Sequence, residues 1–156
     1  MTQKIKIMAA VDLSDYSAAI VRYSVWLAMR LDADLVLVSV INQRDLDMVQ
    51  RAMTGYAAFS YPNYLTEQVQ DRETKMKAII EAVYPDMVDC SYLVQIGVPY
   101  RELLLAVESE KPSLMVLGTK GRSNLADVVV GSTARKLYRR SPIPLLTIPA
   151  GFDDLP

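Results

Sequence analysis

Three stretches of this chain, KIKIMAAV (Lys4 to Val11), DLVLVSVI (Asp34 to Ile41) and SLMVLG (Ser113 to Gly118), are almost unbroken apolar runs. A strand with one wet face alternates apolar and polar residues, so unbroken runs predict strands covered on both faces, as in the middle of a parallel sheet. Two other segments read as edges. In VDCSYLVQIG, Val88, Cys90, Tyr92, Val94 and Ile96 share one face, while Asp89, Ser91 and Gln95 share the other. The last segment, Pro144 to Pro149 (PLLTIP), is bounded by prolines, which lack the amide hydrogen a central strand needs. It belongs at an edge or at a dimer seam.

Helical patterns fill the intervals. Ser14 or Asp15 can cap a helix running to about Leu31, with Arg22, Trp26 and Arg30 on its outer face. The segment Tyr64 to Tyr84 turns Leu65, Val69, Met76, Ile79, Ile80 and Val83 toward the core, with Pro85 beyond its end. Pro99 suits the first turn of a helix carrying Leu103, Leu104 and Val107, which stops near Lys111 because Pro112 follows. A further helix starts near Gly131 and ends before Pro142. The section Gln43 to Pro62 is irregular, a short helix followed by a loop around Gly55. The order is β-α-β-α-β-α-β-α-β, which right-handed crossovers turn into an open five-stranded parallel sheet with helices on both faces.

Length and composition bound the function. At 156 residues the chain is expected to be one domain, 1–156. A net charge of -1 with 22% charged residues argues against a nucleic-acid partner. No apolar run approaches the roughly 18 residues of a membrane span, and the lysines in KIKIMAAVD precede a run too short for a signal peptide. The expected location is therefore cytoplasmic. With Cys90 as the single cysteine and no histidine, a disulfide, a cysteine metal cluster and histidine acid–base catalysis are all removed. Cys90, on the apolar face of its strand, reads as a small buried side chain rather than a redox sensor. The basic run ARKLYRR, with Arg135, Lys136, Arg139 and Arg140, reads as a solvated helix end whose charges complement the dipole.

Three of the six glycines, Gly118, Gly121 and Gly131, punctuate the stretch GTKGRSNLADVVVGSTARK. In an open α/β sheet, ligands bind beyond the carboxyl ends of the strands, and Asp12, Val40, Gly97 and Gly118 all fall on that rim. Gly118 and Gly121 can take positive φ and admit a ligand to the backbone. Gly131, Ser132 and Thr133 open a helix whose first amides have no partner within it, an arrangement suited to phosphate. A turn followed by an ordinary Ser or Thr cap accounts for the same residues. The spacing matches neither a Walker A loop nor a Rossmann GxGxxG.

The spacing Gly118, two residues, Gly121, nine residues, Gly131-Ser132 resembles the ATP-binding signature of the universal stress protein family. VDLSDYS (Val11 to Ser17) is similar to that family's VDxSxxS strand end, GVP (Gly97 to Pro99) to its turn and SPIPLLTIP to its last strand. The resemblance implies a sheet ordered 3-2-1-4-5 and a homodimer through the last strand. It implies adenine against Ala10, Val11 and the backbone at Val40, with Asp12 close to the adenosine. Leu117 and Gly118 would approach the ribose side, and Gly121, Arg122, Gly131, Ser132 and Thr133 would hold the phosphates. The implied ligand is ATP, or AMP or ADP, with Mg2+. Lys120 stands where relatives frequently have histidine, Thr133 where valine is common, and Ala10 where proline or threonine is often seen.

The expected function is a nucleotide-dependent switch in the stress response, acting on an unknown protein partner. In it, bound ATP orders the loop from Gly118 to Gly131. A slow ATPase or phosphotransferase using the same pocket is the alternative. A phosphoacceptor role for Asp12 lacks the acidic neighbours it needs, and adenylyl transfer lacks its HIGH or SGGxDS motif.

Overall fold

The apolar runs form the strands expected of them. In the computed structural model, which describes residues 3–86, 89–120 and 130–156, β1 is Lys6–Ala10, β2 Asp34–Asn42, β3 Cys90–Gly97, β4 Leu114–Gly118 and β5 Leu145–Ile148. They make one five-stranded sheet in the order β3-β2-β1-β4-β5, with every pair parallel. The register sets Ala10 beside Val38, Ile41 beside Ile96 and Gly118 beside Ile148, so the strand ends form one rim. The two segments read as edges are the edges. Part of the alternating pattern, at Val88, lies outside the described residues.

Helices α1 (Ser17–Leu31) and α3 (Tyr61–Val83) cover one face, and α4 (Pro99–Glu110) and α5 (Ser132–Arg140) the other. Odd-numbered residues of β1 and β2, such as Ile7, Ala9, Leu35 and Leu37, pack with Val21, Val25, Met76 and Ile80. Even-numbered ones, Met8, Val36 and Val38, pack with Leu103, Val107 and Leu137. A strand with both sets buried has no wet side, which is why its sequence does not alternate. Among the described residues no helix is long and apolar enough to cross a membrane.

Two local expectations change. Helix α1 begins at Ser17, with Tyr16 as N-cap and no side-chain cap, instead of being capped by Ser14 or Asp15. Ser14 Oγ serves the preceding turn instead, accepting from the Tyr16 amide at 3.3 Å, and Asp12 Oδ1 accepts from the Ser14 amide at 3.0 Å. Helix α3 starts at Tyr61 rather than Tyr64, because Ser60 Oγ accepts from the Asn63 amide and Pro62 fits the first turn. The section read as a short helix and a loop is α2 (Gln43–Ala52), capped by Asn42 through the Arg44 amide at 3.1 Å and followed by turns around Gly55. The outer face of α1 is partly covered by the chain's own C-terminal residues, since the Phe152 ring meets Tyr23 at 5.9 Å and Asp153 pairs with Arg22.

Cys90 sits half-buried on the edge strand, packed against the core under α1 and α3. Burial pushes its thiol up to about 11, against weaker downward pulls from hydrogen bonds. The thiolate is the nucleophile, so at pH 8 iodoacetamide should alkylate Cys90 at least about tenfold more slowly in the folded protein than in the urea-unfolded chain. Equal rates, followed by mass spectrometry, would show that the thiol is not desolvated.

Candidate functional site

Between β1 and β4 the connections change faces: α1 leaves β1 on one side of the sheet and α5 leaves β4 on the other. The diverging chains leave a crevice over the strand ends. Its first wall is the turn after β1. The Val11 amide donates to the Val38 carbonyl at 2.9 Å, extending the sheet by one residue before the chain swings away. Leu13 takes φ 63°, a left-handed conformation that costs a branched residue about 1–2 kcal/mol. That cost is offset by packing of its side chain on the core and by Asp12, which closes the turn. Besides the Ser14 amide, Asp12 Oδ1 accepts from Ser17 Oγ at 3.2 Å, and Ser17 is fully buried. The carboxylate is therefore fixed in place at the mouth.

The second wall follows β4. The Thr119 amide donates to the Ile148 carbonyl at 3.1 Å, and the Thr119 carbonyl accepts from the Gly131 amide at 2.6 Å. These bonds pin the start of α5 against the end of β4. Gly131 is the N-cap of α5, without a side-chain cap. Its amide is thus occupied, a correction to the expectation that it is a free donor along with those of Ser132 and Thr133. The latter two amides lie in the first turn, where the helix offers them no carbonyl, and among the described residues neither makes a hydrogen bond. The unpaired donors and the positive end of the helix dipole share one spot.

Gly118 is also a glycine for a different reason from the one expected. Its φ is not in the left-handed region; instead a Cβ there would meet Ile20 Cδ1 at 2.9 Å and the Lys120 carbonyl at 3.1 Å. The constraint is the closeness of α1, not the turn. At Gly131, where φ is −66°, an added Cβ would meet only the Thr119 carbonyl, at an ordinary 3.5 Å.

The cleft enclosed by these walls has a volume of about 560 Å³. Nine of the expected residues line it: Ala10, Val11, Asp12, Val40, Leu117, Gly118, Gly131, Ser132 and Thr133. The remaining two, Gly121 and Arg122, lie outside the described residues. The lining mixes apolar side chains, among them Val11, Val38, Val40 and Leu117, with the start of α5 and Lys120. Size and mixed lining are those of a small-molecule site.

Sequence reasoning missed the polar residues beyond β2. Asn42, Arg44, Asp45 and Arg72 also line the cleft, and Arg72 NH1 donates to the buried Ser39 Oγ at 2.7 Å. A signal for Arg72 existed. It lies four residues before Met76 and eight before Ile80, both buried, so it is a cation inside the apolar stripe of α3. Arg44 and Asp45 gave no such sign, because nothing in their pattern distinguishes them from a solvated first turn.

The model of the universal stress protein family matches residues 5–149. The universal stress protein Sll1388 of Synechocystis is 25% identical over 134 residues, which cover 83% of this chain and 87% of that one. Among solved structures, that of MJ0577, a universal stress protein of Methanocaldococcus jannaschii, has a TM-score of 0.77 at 18% identity, covering 94% of this chain and 96% of that one. The universal stress protein from Archaeoglobus fulgidus in complex with dAMP has a TM-score of 0.61 at 11% identity, with 94% and 98% covered.

The two glycines should respond differently to substitution. Gly118→Ala forces α1 or the Lys120 carbonyl to move and is expected to cost about 1–3 kcal/mol in urea unfolding. Gly131→Ser adds a good N-cap in open space and should leave stability within about 0.5 kcal/mol of wild type or slightly above it. Equal losses at both sites would contradict the packing described.

Proposed function

The chain belongs to the universal stress protein family, and from that premise we propose that it is an adenine-nucleotide-binding switch whose cleft takes ATP. The observation that carries this reading is the pair of unpartnered amides, Ser132 and Thr133, at a cleft that is also lined by the apolar side chains of Val11, Val38, Val40 and Leu117. A purine is apolar on its faces and hydrogen-bonding at its edge, so it suits Ala10, Val11 and Val40 with a backbone strand end beside them. Asp12 then lies against the adenosine, Leu117 and Gly118 against the ribose. The phosphates meet Ser132 and Thr133 past the open position of Gly131, with Gly121 and Arg122 assigned to them by the family pattern alone. Lys120 adds a cation on that side. The dAMP bound by the similar Archaeoglobus fulgidus protein supports the ligand class.

Micromolar affinity corresponds to about 8 kcal/mol, more than two amide contacts can supply, so burial of the base must contribute a large share. Mg2+ would come with the triphosphate. Among the described residues no group of three or more His, Cys, Asp or Glu is placed to hold a metal ion, whereas phosphate oxygens retain Mg2+ readily. In the dimer we propose, two copies meet through the last strand: β5 pairs with β4 on one side only and leaves its other edge open. Switching requires only that a partner bind the nucleotide-loaded and empty forms unequally.

Hydrolysis needs a base to orient water, and the carboxylate at the mouth, Asp12, has Oδ1 already committed to Ser14 and Ser17. Denaturing the purified protein and chromatographing the supernatant should release adenine nucleotide, and ATP added to the folded protein should remain ATP over hours. Gly131→Val projects a branched side chain among the phosphate donors and should weaken ATP binding by calorimetry at least about tenfold while circular dichroism is unchanged. Unaltered affinity in a folded variant would remove the phosphate site from this position.

A further inference from the structure

A second cavity lies along α4, on the side facing α5, with a volume of about 770 Å³. At its edge three cations converge on one aromatic ring. Lys136 Nζ stands 4.7 Å from the centroid of Tyr100, Arg140 Cζ 5.1 Å and Arg101 Cζ 5.6 Å. The Tyr100 hydroxyl accepts from Arg101 Nε at 2.9 Å and from Arg140 NH1 at 3.2 Å. The residue as a whole is only 7% exposed. The hydrogen bond from Arg101, and then the neighbouring positive charges, hold that phenol below its usual 10.0.

The helix dipole explains only part of this gathering. Arg140 lies in the last turn of α5, where a cation is favoured, but Arg101 lies in the first turn of α4, where it is not. Three like charges around one ring repel one another, and the ring's negative face and the phenol oxygen offset only some of that repulsion. Among the described residues none of the three forms an ion pair with a carboxylate. Lys111 joins Arg101 and Arg140 as a third cation of the lining, against the single acid Glu108.

Beside this charge the groove is apolar. Leu104, Val107, Pro142 and Ile143 line it, and Leu105 on its flank is 54% exposed, the second most exposed large aliphatic side chain among the described residues after Met48. An unpaired cationic edge joined to an apolar channel is complementary to one chemical class, a hydrocarbon body ending in an anion. The volume is within the roughly 300–1,000 Å³ of small-molecule sites. We propose that this groove binds a small amphipathic anion, its carboxylate or similar head held by Arg101 and Arg140 across Tyr100 and its apolar chain laid along Leu104, Leu105 and Val107. This site is separate from the nucleotide cleft, although α4 serves both: Leu103 lines the cleft and Leu104 the groove.

Decanoate is a suitable probe, titrated calorimetrically into the full-length protein, with decyltrimethylammonium as the control of opposite charge. Decanoate should saturate a single site per chain, weaken as salt is raised, and bind at least about tenfold more tightly than the cationic amphiphile. Arg101→Ala with Arg140→Ala should weaken decanoate about tenfold or more, with ATP affinity unchanged. Leu105→Asp, at an exposed position that the fold tolerates, should weaken it as well and covers the case in which the double variant does not fold. Three results would overturn the proposal: no saturable decanoate binding to the wild type, equal binding of the two amphiphiles, or folded variants that bind decanoate as the wild type does.

Discussion

The reversal of crossover direction between β1 and β4 is the constraint on which the rest of the molecule depends. Because α1 and α3 cover one face and α4 and α5 the other, the three inner strands must be apolar on both sides. Because the reversal falls at the centre of the sheet, the chains leaving β1 and β4 part there and cannot fill the space over the strand ends. Burial thus fixes the sheet, and the sheet fixes the place of the cleft. The same crowding bears on Gly118, where a Cβ would press on the tip of the Ile20 side chain of α1 and on the Lys120 carbonyl.

The cleft combines two kinds of lining, and the combination sets its chemistry. Side chains make its apolar part, through Val11, Val38, Val40 and Leu117. Backbone and side chains share the polar part, through the uncapped start of α5, the Thr119 carbonyl that positions it, and Asn42, Arg44, Asp45 and Arg72. Asp12 stands at the mouth, its Oδ1 held by the Ser14 amide and the Ser17 hydroxyl. A ligand matched to this lining combines an apolar body with an anionic group.

Much of the fold is legible in the sequence, since unbroken apolar runs, edge alternation and prolines at Pro99 and Pro112 each have one cheap structural solution. Features decided by tertiary contact are not. A short helix after Gln43 is readable, but α2 is mostly polar with Leu46 its buried residue, so its extent is not, and its cap, Asn42, reads equally well as a turn. Pro62 looks like a loop residue until Ser60 is seen to cap the helix it begins. Nine cleft residues follow from the rim and the family pattern, but which amides are free does not: Gly131 loses its own to Thr119, a contact between segments separated along the chain. Arg72 was visible as a cation in an apolar stripe, and Ser39 opposite it was not.

An amide-resolved NMR titration of isotope-labelled protein with Mg·ATP tests the central claim most directly, because it reports on the backbone donors themselves. The account predicts saturable shifts at the Ser132, Thr133 and Val40 amides, with the edge-strand amides of Ser91 and Tyr92 unmoved. Binding of ATP that leaves Ser132 and Thr133 undisturbed, or no binding at millimolar nucleotide, would contradict it.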